Sequence, residues 1–156
     1  MSSLDWAPLK SIIDNNQSFL ISSHVRPDAD ALGSELGMAA ILRHFGKQVT
    51  IVNATAPPAN LQFLNSDQQV LKLNEDVKQA DLPAVDVYIV VDTSAWQQLG
   101  AMAEVIQSAG PKRVVIDHHV SSDNMGATEF KDTTAAATGE LIFEAAEYLG
   151  VEFDSV

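Results

Sequence analysis

One histidine and two aspartates crowd a single turn, His24-Val25-Arg26-Pro27-Asp28-Ala29-Asp30. An imidazole beside two hard carboxylate oxygens suits a divalent cation such as Mn2+ or Mg2+ better than a soft metal. The simpler reading of the turn alone is an Asp-rich bend whose carboxylates cap the next helix. Two more clusters follow downstream. Asp92-Thr93-Ser94 closes one apolar run, and Asp117-His118-His119 closes another. Each cluster alone is a weak signal, and the three in succession carry the argument.

Their chemistry is that of a cation pair. Two divalent ions about 3.5–4 Å apart need a bridging ligand and terminal ligands. Asp92 sits at the centre of the set, and one carboxylate can bridge with an oxygen to each ion. His24 and Asp28 can serve one cation, with Asp30 and His118 serving the other. A water shared by the ions is acidified enough to exist as hydroxide near neutral pH, which makes it a nucleophile. His119 is then free to bind a phosphoryl oxygen or assist a leaving group. Asp117 is placed to orient a histidine from behind. Arg26 is a candidate phosphate contact, and Ser34 a support for the helix start.

The elements that must position these groups follow from periodicity. Residues 4–15 read as a short amphipathic helix, and 19–23 as a buried strand ahead of the His24 turn. A helix is predicted over 32–45, closed by Gly46, then a strand over 49–52. Residues 85–91 form an almost continuous apolar run, as a strand covered on both faces does. A helix over 96–108, a strand over 113–116, a further strand over 128–131 and a helix over 134–149 complete the pattern, while 70–81 is ambiguous. Alternating strands and helices predict an α/β domain. Its mostly parallel sheet would have about five strands, helices on both faces, and a site at the strand carboxyl ends. No Gly-x-Gly-x-x-Gly or Walker-type phosphate loop is present.

Composition narrows the function further. The chain has 156 residues, one domain's worth, with 46 % apolar and 19 % charged residues. It has no cysteine, which excludes disulfides and thiolate metal sites and fits a reducing cytoplasm. No signal peptide or membrane span is readable. The net charge of −12 argues against duplex DNA as a partner, because that affinity comes mostly from Lys and Arg neutralising phosphates.

In order, the motifs His24-Val25-Arg26-Pro27-Asp28-Ala29-Asp30-Ala31-Leu32-Gly33-Ser34, Val90-Val91-Asp92-Thr93-Ser94 and Asp117-His118-His119 resemble those of the DHH phosphoesterase superfamily. That superfamily includes the exonuclease RecJ, family II inorganic pyrophosphatases, exopolyphosphatases and the oligoribonuclease/pAp-phosphatase group. The fuller resemblance is to the last group, whose helix is similar to Ala135-Ala136-Ala137-Thr138-Gly139-Glu140-Leu141. Family II pyrophosphatases typically carry Asn where this chain has Arg26.

The resemblance implies two Mn2+ ions, or Mg2+ in their place. One would be held by His24, Asp28 and Asp92, the other by Asp30, Asp92 and His118. It also implies a cytoplasmic phosphohydrolase acting on short oligoribonucleotides, dinucleotides or 3′-phosphoadenosine 5′-phosphate. The enzyme alternative is an inorganic pyrophosphatase or exopolyphosphatase, and the third reading is a non-catalytic metal- or nucleotide-binding fragment. A homodimer is left open. The family's fourth motif, a later strand-end aspartate, is not found by Val156, and Asp154 lacks its context. The expectation is a DHH domain over 1–156 without that motif, and a C-terminal substrate domain in the full protein.

Overall fold

A computed structural model describes residues 3–154. Its centre is a six-stranded sheet in the order β3-β2-β1-β4-β5-β6, in which every neighbouring pair is parallel. The strands are β1 (Ser18–Ser22), β2 (Gln48–Asn53), β3 (Val70–Lys72), β4 (Val87–Val91), β5 (Lys112–Asp117) and β6 (Thr128–Lys131). The helices are α1 (Ala7–Asn15), α2 (Ala29–His44), α3 (Met102–Ile106) and α4 (Thr138–Leu149). The sixth strand is β3, a three-residue edge strand inside the ambiguous 70–81 segment. It is too short for a period to show in the sequence.

Alternation along the strands divides the core. Phe19, Ile21, Val87, Ile89, Val91, Val114 and Ile116 point to one face, where α1, α2 and α4 cover them. Leu20, Val52, Tyr88, Val90 and Val115 point to the other, under Leu99 and the α3 residues Met102, Val105 and Ile106. The split follows from topology. From β1 the chain steps one way along the sheet to β2, and from β4 it steps the other way to β5. Right-handed crossovers then place α2 and α3 on opposite faces. The reversal lies between β1 and β4, where open sheets of this kind leave a crevice at the strand carboxyl ends.

Close packing explains two departures from the predicted helices. Residues 96–108 form a 3-10 turn at Trp96–Leu99 and then α3, not one helix. The break is Gly100, with φ +54°, where a Cβ would lie 2.7 Å from Val25 Cγ1 and 3.1 Å from Ala54 Cβ. Only glycine allows this segment to lie against the His24 turn. The last helix starts at Thr138, because residues 132–137 form turns that deliver its N-terminus to the sheet edge. Gly37 brings α2 and α4 together, since a Cβ there would meet Ile142 at 3.0 Å. Trp6 stacks on Phe130 at 5.1 Å and closes the α1 side of the core. Among the described residues no helix is long and apolar enough to cross a membrane.

Candidate metal centre

His24 is held from beneath and from the side. At the end of β2, Asn53 Oδ1 accepts the Ser23 N–H at 2.9 Å and the Ser22 hydroxyl at 3.3 Å. Val25 N–H donates to the Gln98 carbonyl at 2.7 Å. The imidazole Nδ1 lies 2.9 Å from the Val25 carbonyl. With Nδ1–H donating there, Nε2 faces Asp92 Oδ2 at 3.2 Å and Asp28 Oδ1 at 3.7 Å. The Asp92 hydrogen bond pushes the His24 pKa up to about 9. Burial opposes that rise, and the Val25 carbonyl and the Asp92 and Asp28 charges add to it. A cation ligated by Nε2 displaces this proton.

Asp92 stands at the middle of the group and is 1 % exposed. Its N–H still donates to the Ile116 carbonyl at 3.0 Å, so it ends the β4–β5 ladder. Its φ of +62° then turns the chain sharply out of the strand. Left-handed backbone is uncommon outside glycine, and aspartate tolerates it better than most residues. The turn directs Oδ2 at His24 and Oδ1 at the Thr138 hydroxyl, 2.9 Å away. Oδ1 also lies 3.6 Å from His118 Nε2 and 3.8 Å from His119 Nδ1.

The β5 end supplies both histidines. His118 Nδ1 faces the Ala135 carbonyl at 3.2 Å, and its Nε2 lies 3.5 Å from Asp30 Oδ2. His24 and His118 thus share one arrangement, Nδ1 on a main-chain carbonyl and Nε2 toward carboxylates. Second interactions of this kind fix the tautomer of metal-binding histidines. His119 differs, because its Nδ1 is bonded to Asp117 Oδ1 at 2.7 Å. Asp117 is fully buried. Burial pushes its carboxyl up, but hydrogen bonds from Ser94 and His119, with the Lys131 charge, hold it below the ordinary range. Ser94 donates at 2.7 Å, and the Lys131 ammonium lies 3.3 Å away.

The Asp-rich turn is capping and clustering at once. Asp28 Oδ1 caps α2 through Ala31 N–H at 2.9 Å, and its side chain is 64 % exposed toward the cleft. Asp30 caps a different helix: Oδ2 accepts Thr138 N–H at 2.9 Å and Oδ1 accepts Gly139 N–H at 2.8 Å. Ser34 is buried, and its hydroxyl donates to Asp30 Oδ1 at 3.4 Å. Arg26 is exposed and contributes its main-chain N–H to the Thr55 hydroxyl at 2.7 Å.

Two groups offer ligand atoms within 4.8 Å of one another, His24–Asp28–Asp92 and Asp92–His118–His119. Asp30 borders the second group, with Oδ2 3.5 Å from His118 Nε2 while both of its oxygens accept N–H groups from the start of α4. Imidazole nitrogens and carboxylate oxygens without thiolates fit Mn2+ or Mg2+, and the two oriented Nε2 atoms strengthen that fit. A cleft of about 350 Å3 opens over the group, with Ser94, Gln98 and His119 on its wall.

Lys131 carries no motif signal, and Ser94 and Thr138 lie in motif segments that do not disclose their partners. Thr138, Ser94 and Lys131 act across long sequence separations. Glu35 was readable, since it shares the buried stripe of α2 with Ala31, Met38 and Leu42. A carboxyl in such a stripe needs partners. Here Asn53 Nδ2 donates to Oε2 at 3.1 Å.

Residues 18–155 match the model of the DHH family, N-terminal domain. Over 127 residues the chain is 32 % identical to the bifunctional oligoribonuclease and PAP phosphatase NrnA of Bacillus subtilis, covering 81 % of this chain and 37 % of that protein. The protein of the same name from Thermus thermophilus is 31 % identical over 143 residues, with 85 % and 37 % covered. The chain therefore spans a little over a third of these relatives. The crystal structure of an exopolyphosphatase-related protein from Bacteroides fragilis superposes with a TM-score of 0.85 at 22 % identity, over 93 % of this chain and 43 % of that one. Exonuclease RecJ bound to manganese gives 0.56 at 16 % identity, over 97 % and 40 %. These two structures share the fold.

Proposed function

The chain belongs to the DHH family through its N-terminal domain, and on that premise we propose that it is the metal-holding part of a phosphoesterase. Its substrates would be short oligoribonucleotides, dinucleotides or 3′-phosphoadenosine 5′-phosphate. The observation that carries this reading is Asp92, a buried carboxylate with one oxygen toward His24 and the other toward His118. In this assignment His24, Asp28 and Asp92 would hold one Mn2+, and Asp30, Asp92 and His118 would hold a second. Imidazole ligands favour Mn2+ over Mg2+. Divalent ions held by these residues would activate water as the nucleophile and neutralise charge on the phosphoryl oxygens.

The chain's own residues do the rest. Asp117 holds His119 by Nδ1, which leaves Nε2 for a phosphoryl oxygen or for a proton to the leaving group. Ser94 and Lys131 fix Asp117, so His119 cannot swing away from Asp92 without breaking a buried network. The names of the NrnA relatives support the choice of oligoribonucleotide and pAp substrates. Because the chain spans little more than a third of those proteins, we assign substrate selection to a C-terminal substrate domain, and expect this chain alone to turn over slowly or not at all.

The test is Mn2+-dependent hydrolysis of a dinucleotide, pAp and inorganic pyrophosphate by the full-length protein and its Asp92→Ala variant. Loss of at least a thousandfold is expected in the variant, since one substitution removes a ligand from both ions. Activity within tenfold of wild type would exclude a bridging Asp92. Pyrophosphate as the best substrate would overturn the nucleotide assignment.

A further inference from the structure

The first two residues of α4 reach the candidate second cation position directly. Two carboxylate oxygens face His118 Nε2, Asp30 Oδ2 at 3.5 Å and Asp92 Oδ1 at 3.6 Å. Each is held on another side by Thr138. Its N–H donates to Asp30 Oδ2 at 2.9 Å, and its hydroxyl donates to Asp92 Oδ1 at 2.9 Å. Thr138 is fully buried, and the two aspartates lie 108 and 46 residues away in sequence. One residue thus clamps a carboxylate from the start of α2 to one from the end of β4.

The geometry is selective. The N–H groups of Thr138 and Gly139 are among the donors that a helix start leaves unpaired, and Asp30 satisfies both. Gly139 leaves room for this approach, because a Cβ there would already stand 3.4 Å from Asp30 Oδ1. The Thr138 hydroxyl has a single proton, and it goes to Asp92. A carboxylate oxygen that accepts one hydrogen bond keeps a second lone-pair site for a cation. On the other side of Asp92, Oδ2 is directed at His24 and does not involve Thr138.

We propose that Thr138 is a positioning residue that sets Asp30 and Asp92 as a pair of ligands for the second cation. The proposal rests on the two-metal reading above. Removing the hydroxyl leaves the buried Asp92 Oδ1 without its donor, while the His24 hydrogen bond still fixes Oδ2. The position defined by Asp30, Asp92 and His118 weakens, whereas that defined by His24, Asp28 and Asp92 keeps its ligand directions.

The experiment is calorimetric titration of Mn2+ into the wild-type chain, Thr138→Val and Thr138→Ser, with thermal melts of the metal-free proteins. Thr138→Val is expected to lose tenfold or more in affinity at one of the two ion positions and less than threefold at the other, as loss of a ligand-orienting partner costs 10–100-fold. Thr138→Ser, which restores the hydroxyl, should bind both ions within threefold of wild type. A general packing defect would not be repaired by serine, which also lacks the methyl group. If the valine variant does not fold, Thr138→Ala removes the same hydroxyl under the same criterion. Two ions bound in wild type with both affinities unchanged in Thr138→Val, or serine as weak as valine, would overturn the role of Thr138 alone. A wild-type chain that binds no Mn2+ would overturn the metal reading and this inference together.

Discussion

His24 shows how one side chain joins folding, protonation and the proposed metal binding. Its imidazole has Nδ1 on the Val25 carbonyl and Nε2 on Asp92, and its pKa is pushed up to about 9, chiefly by the Asp92 hydrogen bond. Without metal, the raised pKa stabilises the fold fully below the ordinary histidine value of 6.5. That contribution is lost as pH rises through about 9. Metal binding has the opposite sign, because the cation must displace the Nε2 proton below that pH. Mn2+ affinity measured by calorimetry should therefore climb by up to about tenfold per pH unit from pH ~6 to ~8, with release of one proton. His24→Gln should bind more weakly and lose most of this slope. A flat profile in wild type would show that His24 does not compete with the cation.

At the scale of elements, α2 is the hinge of the site. Asp28 caps its start and its first turn carries Asp30, and one turn further on Ser34 bonds to Asp30 and Glu35 meets Asn53 at the end of β2. Glu35 is wholly buried against Asn53 of β2, with Oε1 lacking a hydrogen-bond partner. Burial pushes its carboxyl up to about 8, and the nearby Asp92 charge adds to the rise. The neighbouring Ser23 hydroxyl, the Asn53 hydrogen bond and the His24 charge oppose it. Glu35 is therefore a neutral acid at pH ~7. Its folded pKa lies above the unfolded value of 4.5, so its contribution is complete below 4.5 and is lost as pH rises to about 8. Glu35→Gln keeps the shape and the Asn53 contact but cannot ionise. Urea midpoints of the metal-free variant should decline less between pH ~5 and ~8 than those of wild type. Equal declines would place the titration elsewhere. His24 was visible from its motif, whereas Glu35 had only its place in a buried helical stripe.

At the scale of the molecule, a chain of net charge −12 gathers Asp28, Asp30, Asp92 and Asp117 about His24, His118 and His119. Bound cations offset that repulsion and add stability by mass action. At free Mn2+ of about 100 times Kd, one site contributes about 2.7 kcal/mol. For a domain of this size that is a rise in Tm of about 5–10 °C. Wild type should show this rise in a thermal melt, and Asp92→Ala should lose it. An equal rise in both would mark general screening of an acidic surface rather than a site.

The sequence by itself determined the local things. Apolar alternation set the buried strands, helical spacing set α2 and α4, and residue chemistry at three strand ends marked a candidate divalent-cation cluster. A parallel sheet then required those ends to share an edge. Tertiary structure alone decided the roles that depend on distant partners. It turned Asp30 onto the start of α4, bent Asp92 into left-handed backbone, and brought Thr138 to both. It also broke the 96–108 segment at Gly100, where the chain crosses Val25 at close range. Short-range periodicity reports only which face of an element is buried. Which polar atom meets which, across separations of 46 to 109 residues, is set when helices dock on the finished sheet.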